Sequence, residues 1–497
     1  MNIRYLLKVL GYFSWATAPL MLPALIVSFY YKEGQAALAL LFSAVVSILV
    51  GSFLYRMGRG APNRFYQRET LGVVALAWIL VAGLGALPFI FSGVLGPVDA
   101  YFECMSGFTT TGSSVFGLSH FQHTPKAIMF WRAFTHWVGG MGIIVLFLAV
   151  LPYLGVGGKQ LFKSESPGPD PRELTPRIRD TAAILYTIYL GLTILEIAAL
   201  MFAGMNWFDA TCHTFATLSG GGFSTRFNSV GEFKSPVIDV IVIFFMICGA
   251  TNFALYYSML KGNWKALFMD TEWRAYIFIL LTATLLVTLN LCGWFGAGVV
   301  RADGPVKTYD NPLEALRYAG FQVASMMTTT GFTTDDFDRW PDLSRELLIT
   351  VMFIGGCAGS TSGGIKVIRI MMLLKMVYWR LEKSFRTRTV RVLRIAGEPV
   401  EEGVQQNVYG FVVLYLGWAI LGTFVMTALG LPLLSAFTSV AATLNTTGPG
   451  LEKVGASMNF AEIPALGKLF LSLSMVLGRL ELFSVLVLFV PGFWKKE

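Results

Sequence analysis

Apolar residues run almost unbroken over 5–31, 36–55, 70–91, 127–154, 181–204, 236–260, 274–293, 346–378, 408–430 and 466–490. About 20 such residues cross a bilayer, so the pattern predicts ten transmembrane helices. The first run is too long for a cleaved signal peptide and has no small-residue cleavage site, so it counts as a span. Four shorter stretches, 98–109, 208–218, 312–327 and 432–443, cannot cross and fit re-entrant half-helices. After the first two spans the order is fixed: span, half-helix, short polar motif, span, four times over.

The polar motif is what repeats. It reads Thr109-Thr110-Thr111-Gly112, Gly220-Gly221-Gly222, Thr328-Thr329-Thr330-Gly331 and Asn445-Thr446-Thr447-Gly448. The final glycines recur at intervals of 110, 109 and 117 residues, the signature of an internal repeat. Twelve residues before each glycine stands an alanine: Ala100, Ala210, Ala319 and Ala436. Ten before it stand Phe102, Cys212, Phe321 and Thr438. The expected organisation is two N-terminal helices (1–69) followed by four units at 70–180, 181–273, 274–406 and 407–497.

Composition agrees with a multi-span membrane protein: of 497 residues 55% are hydrophobic and 14% charged. The net charge of +8 does not point to nucleic acid. Lys and Arg gather in cytoplasmic loops, here Arg56, Arg59, Arg64 and Arg68; Lys159, Lys163, Arg172, Arg177 and Arg179; Lys261, Lys265 and Arg274; and Lys375 to Arg394. In the ten-span topology all of these fall on one face and every Thr-Gly motif on the other, with both termini cytoplasmic. The run from Lys375 either meets anionic lipid or docks a soluble regulator. The chain has no nucleotide-binding fingerprint of its own. Its five cysteines form no CxxC and its four histidines have no metal spacing. No His/Cys/acid cluster lies in an apolar run, so an enzyme is not expected.

Irregular backbone at membrane depth must line a water-filled path or be buried in protein. Four such segments can surround one axis and point carbonyl oxygens at it, replacing the hydration shell of an alkali cation. The C-terminal, partly negative end of each half-helix would favour that cation. The ring would consist of Thr110, Thr111 and Gly112; Gly220, Gly221 and Gly222; Thr329, Thr330 and Gly331; and Thr446, Thr447 and Gly448. A secondary carrier for another cation or an organic solute is the alternative, but broken-helix carriers are expected to have inverted repeats, and these share one orientation.

Two further features carry candidate mechanism. Gly355-Gly356-Cys357-Ala358-Gly359-Ser360-Thr361-Ser362-Gly363-Gly364 interrupts the run 346–378. Each Gly disfavours helix by about 1 kcal/mol relative to Ala, so the span should unwind there; small-residue helix packing is the other reading. A phosphate loop is excluded, since no Gly-Lys-Ser/Thr follows and no strand precedes. Arg479 falls about 11 residues from the end of the last run, where an Arg must face a cavity or a partner. Glu481 is either part of its network or a packing residue. Asp335, Asp336 and Asp338 either raise cation concentration at the outer mouth or are solvated loop carboxylates.

The four motifs with their flanks, Ser106 to Ser113, Gly221-Gly222-Phe223-Ser224-Thr225, Thr328 to Phe332 and Asn445 to Gly450, resemble the pore loops of the Trk/Ktr/HKT superfamily of potassium transporters, and within it the bacterial Trk membrane (pore-forming) subunits. The resemblance covers nearly the whole chain. It implies an all-α membrane fold of four pore units plus two N-terminal helices, potassium bound at the twelve motif residues and no organic cofactor. Transport would be channel-like or ion-coupled, in the bacterial inner membrane. It also implies that 355–364 is an intramembrane gate, with Arg479 near the ion path; Lys366 either sets the position or electrostatics of that loop or is an ordinary interfacial lysine. The partners implied are membrane lipid, a second copy in a homodimer, and a cytosolic ring of nucleotide-binding regulatory subunits. The second motif departs from the others, with Gly220-Gly221 in place of Thr-Thr.

Overall fold

The computed structural model describes residues 2–61, 67–142, 178–295, 306–386, 393–395 and 398–494. Most of the basic loop expected over 155–180 lies outside the described residues, as do Arg64, Arg388, Arg391 and the last three residues. Regular structure among the described residues is helical apart from one two-residue antiparallel pair, Arg394–Ile395 with Glu398–Pro399, and an isolated parallel bridge between Ile354 and Ile365.

By length and apolarity six helices qualify as membrane spans: Ile3–Tyr30, Gly34–Met57, Leu71–Phe91, Thr181–Phe202, Thr271–Leu291 and Glu402–Ala428. They match the two N-terminal runs and the first span expected in each unit. The half-helices are Pro97–Phe108, Trp207–Ser219, Pro312–Met327 and Leu433–Leu444, within a residue or two of the expected bounds. Their starts are written locally. Pro97 and Pro312 sit where a helix needs no N–H. Asn206 and Asn311 accept a first-turn N–H. The alanines at the shared register are all fully buried.

The second helices of the four units all end early: the third breaks at its glycine-rich stretch, as expected, while the other three do not run on as the apolar pattern suggests. These helices are Lys126–Gly140, Pro236–Gly249, Asp342–Phe353 and Ala465–Arg479. Phe253–Leu260 continues the second one only after a 93° bend. Arg479 is therefore the last residue of a helix, not the middle of a span. The cause is close packing. A Cβ on Gly139 would lie 1.9 Å from the Phe108 carbonyl oxygen, on Gly249 2.9 Å from that of Leu218, and on Gly478 2.0 Å from that of Leu444. Each of those carbonyls stands four residues before its motif glycine. The inner helix can touch the end of its half-helix only through a residue without a side chain, and there it stops.

Each inner helix also packs on the half-helix of the next unit: Lys126–Gly140 on Trp207–Ser219, Pro236–Gly249 on Pro312–Met327, Asp342–Phe353 on Leu433–Leu444, and Ala465–Arg479 on Pro97–Phe108. The contacts close on themselves, so the four half-helix ends surround one centre. Gly139→Ala or Gly478→Ala is expected to lower stability by about 1–3 kcal/mol through overpacking. Thermal unfolding of the purified protein checks it, with the exposed Gly191→Ala, whose Cβ meets nothing within 4 Å, as the unaffected control.

Candidate ion-binding site

At each motif the half-helix ends the same way. The N–H groups of Thr111, Gly221, Thr330 and Thr447 donate to the carbonyls of Ser106, Ala216, Ser325 and Ala442, five residues back, at 2.8–2.9 Å. This is the six-to-one bond of a Schellman cap, which places the preceding residue in the left-handed region. That residue is Thr110 (φ 55°), Gly220 (φ 70°), Thr329 (φ 58°) or Thr446 (φ 52°). A left-handed residue with a Cβ costs about 1–2 kcal/mol, and a β-branched one is an outlier. Gly220 is thus the relaxed member of the set and the three threonines are the strained ones. The motif glycines are left-handed as well: Gly112 (φ 81°), Gly222 (φ 76°), Gly331 (φ 80°) and Gly448 (φ 100°).

The loops meet in chain order. A Cβ on Gly112 would lie 2.1 Å from the Gly221 carbonyl oxygen, on Gly222 2.0 Å from that of Thr330, on Gly331 1.8 Å from that of Thr447, and on Gly448 3.0 Å from that of Thr111. Ser113 donates to the Gly448 carbonyl at 3.0 Å, tying the fourth loop to the first. All twelve motif residues are therefore brought together in one ring. Above it a cavity of about 90 Å³ is lined by all four motif glycines together with Ser113, Phe223 and Asn459.

Beneath the ring lies the glycine-rich segment, which does unwind. Helix ends at Phe353 and resumes at Val367. Thr361 donates its hydroxyl to the Leu218 and Gly249 carbonyls at 2.8 and 2.9 Å. The Gly363 N–H donates to the Thr329 hydroxyl at 2.7 Å. A Cβ on Gly363 would lie 1.9 Å from the Thr446 hydroxyl. Within the segment, the Gly356 N–H donates to Ser362 and Ser360 donates to the Cys357 carbonyl. Gly355 bonds to Ile365, while the Gly359 carbonyl accepts from Phe253. Gly364 takes a left-handed turn (φ 65°). Lys366 is buried and donates to the Ser362 carbonyl, so it is an internal strut rather than an interfacial lysine.

Arg479 completes the arrangement. It donates to the Thr361 carbonyl at 2.8 Å, to the Thr110 hydroxyl at 3.1 Å, and to the Gly139 and Gly140 carbonyls at 2.7 and 2.8 Å. The segment touches the second, third and fourth loops, and Arg479 links it to the first. Glu481 pairs with Arg369 at 2.5 Å, on the helix that follows the segment.

Several residues of this site are not apparent from the sequence. Glu103, buried in the first half-helix, accepts from Arg132 at 2.6 Å, from Ser114 and from the Val115 N–H. Arg132 also donates to the Ser224 carbonyl, stapling the first loop to the second. A signal was present: nine residues before each motif glycine stands a polar residue, Glu103, His213, Gln322 or Ser439, in a largely apolar stretch. Glu272 accepts from the N–H groups of Ala358, inside the broken segment, and Ile368, in the helix that resumes after it; nothing local to it signals that.

Two of the carboxylates after the third motif are structural. Asp335 accepts from Lys307, Tyr309 and Trp340. Burial pushes its carboxyl up, but those hydrogen bonds outweigh burial and hold it below its ordinary value. Asp338 accepts from the Glu452 N–H and from Arg345, joining the third loop to the fourth. Burial pushes it up to about 6 against those partners.

Four helix ends and their loops, closed into one ring inside a bundle of apolar helices, define a multi-span membrane protein. The chain belongs to the TrkH family, cation transport proteins and not enzymes, whose pattern matches residues 39–496. It is 40% identical over 500 residues to the Trk system potassium uptake protein TrkH of Salmonella typhimurium, covering 100% of both chains. It is 31% identical over 498 residues to the Trk system potassium uptake protein TrkG of Escherichia coli, covering 99% of each. The crystal structure of the potassium transporter TrkH from Vibrio parahaemolyticus superimposes with a TM-score of 0.87 at 36% identity, covering 100% of both chains.

A carboxyl whose pKa rises from 3.8 to about 6 on folding binds its proton more tightly when folded. Its stabilisation is full below about pH 4 and is lost as the pH rises to about 6. The melting temperature of the protein should therefore fall across that window relative to Asp338→Asn, by the equivalent of at most about 3 kcal/mol.

Proposed function

We propose that this chain is the pore-forming subunit of a bacterial potassium uptake system. Ten transmembrane helices, two N-terminal and four pairs, would place four membrane–pore-loop–membrane units around one ion path in the inner membrane, with both termini cytoplasmic. The observation that carries the reading is the cyclic contact of the four motifs. The carbonyls of Thr111, Gly221, Thr330 and Thr447 each abut a neighbouring motif glycine, which is how backbone oxygens are held close enough to replace water around a potassium ion. The printed names of the relatives, potassium uptake proteins of a Trk system, support the same cargo.

The glycine-rich segment acts as the gate. It lies against the filter from below, and Arg479 is hydrogen-bonded to it. A cation about 4 Å from a guanidinium meets about 4 kcal/mol of repulsion at an effective dielectric of about 20. Flux therefore requires the loop and Arg479 to move together, and their shared bond at Thr361 couples them. Lys366, Glu272 and the Arg369–Glu481 pair tie the segment to the start of the helix that follows it. A cytosolic nucleotide-binding ring regulates the loop through the basic face beyond Lys375, and two copies form a homodimer in the lipid bilayer.

Gly331→Ser puts a side chain 1.8 Å from the Thr447 oxygen and strains a left-handed residue by about 1–2 kcal/mol, about a tenfold change in ion preference. Potassium-over-sodium discrimination, measured as uptake into a potassium-uptake-deficient host or as proteoliposome flux, should fall by about that factor; unchanged discrimination would overturn the filter. Deleting Ala358 to Ser360, or replacing Arg479 by Gln, should raise potassium flux several-fold with discrimination intact. Unaltered flux in both would remove the gate assignment.

A further inference from the structure

We propose that His136 is the specificity-determining support of the second filter quarter, standing where the threonine side chain of the other three quarters would be. The proposal rests on the filter reading above. The residue one before the motif glycine is Thr111, Thr330 or Thr447 in three quarters and Gly221 in the second. Thr111 and Thr330 brace their loops through hydroxyl contacts at 2.8 Å with Thr109 and Thr328. Gly220 and Gly221 have no side chain with which to do this.

The space beside Gly221 is filled nonetheless. A Cβ there would lie 2.3 Å from Nδ1, 2.5 Å from Cγ and 2.6 Å from Cε1 of His136. The ring cannot retreat. It is fully buried, its centroid is 3.9 Å from the Phe223 ring, and the Arg132 guanidinium stands 3.6 Å over Phe223. Arg132 is in turn fixed by Glu103 and the Ser224 carbonyl. No side chain hydrogen-bonds the ring nitrogens of His136 among the described residues, and the Gly107 carbonyl is the backbone acceptor beside the ring; packing against Phe223 is what presents the ring to Gly221.

The helix register shows that the ring and the glycine go together. Three residues before Gly139, Gly249 and Gly478 stand His136, Met246 and Met475, all buried. The helices of Met246 and Met475 pack on the third and first half-helices, whose loops keep Thr330 and Thr111. Methionine accompanies threonine, and the rigid imidazole accompanies glycine. The Gly221 carbonyl is the oxygen packed against Gly112, so His136 sets the position of one ion-facing oxygen and its contact with the first quarter.

The test is a double-mutant cycle on the full-length protein in proteoliposomes, reading the ratio of potassium to sodium uptake. Gly221→Thr alone should lose uptake or drop the ratio at least about tenfold, because the new side chain meets the ring. His136→Met alone should keep potassium uptake but lower the ratio several-fold. The double variant, which rebuilds quarter two on the pattern of its neighbours, should return the ratio to within about twofold of the wild type, a coupling well beyond additive scatter. If Gly221→Thr fails to fold, recovery of folded protein and ratio in the double variant supports the proposal, and no recovery overturns it. A wild-type ratio in Gly221→Thr, or a double variant no better than Gly221→Thr, also overturns it. Gly112→Ser run alongside separates the two readings. If it lowers the ratio while the cycle is additive, His136 is only packing and the filter stands. If it leaves the ratio unchanged, the filter reading and this inference fall together.

Discussion

The structure depends on backbone carbonyls that approach a neighbouring loop more closely than any side chain permits. A Cβ at Gly112, Gly222 or Gly331 would lie 1.8–2.1 Å from the next loop's oxygen. Glycine at these positions is therefore a requirement of the neighbour, added to the left-handed turn each one makes. Thr110, Thr329 and Thr446, two residues before Gly112, Gly331 and Gly448, accept the same left-handed backbone without glycine's freedom. Such strain persists only where the surroundings over-determine it, and here they do: a six-to-one cap from behind, a buried half-helix, and contact with the adjacent loops.

The same logic extends below the ring. Three of the four inner helices stop where a glycine meets the carbonyl of its own half-helix, and the backbone groups released there are reused. The Gly139 and Gly140 carbonyls accept from Arg479, and the Gly249 carbonyl accepts from Thr361. Helix ends leave unpaired carbonyls that need donors. An arginine and a threonine-bearing loop satisfy them directly beneath the ring of motif loops. The broken helices, the buried arginine and the glycine-rich segment are one construction.

Much of this was legible in the chain. The half-helices, the first spans of each unit, the unwinding at 355–364 and the motif register follow from hydrophobic period, breakers and repeat spacing, which act locally. The ends of the inner helices were not legible, because Gly139 and Gly478 stop a helix only when a carbonyl from another segment is pressed against them; in isolation the apolar run reads as continuous. Arg479 read as mid-span for that reason. Asp335, Asp336 and Asp338 looked alike as a cluster, yet Asp335 and Asp338 are consumed by different partners, Lys307, Tyr309 and Trp340 for one, Arg345 and the Glu452 backbone for the other.

Gly220-Gly221 marks the division between the two levels. The sequence by itself determined that four copies of one turn exist and that one of them lacks threonine, because repeat spacing and residue identity are properties of the chain. Only the tertiary structure decided what that departure means. Gly220 relaxes a turn that its counterparts hold under strain, and Gly221 makes room for a histidine 85 residues away in the chain. A missing side chain has no local signature; what fills its space is set by whichever helix packs there.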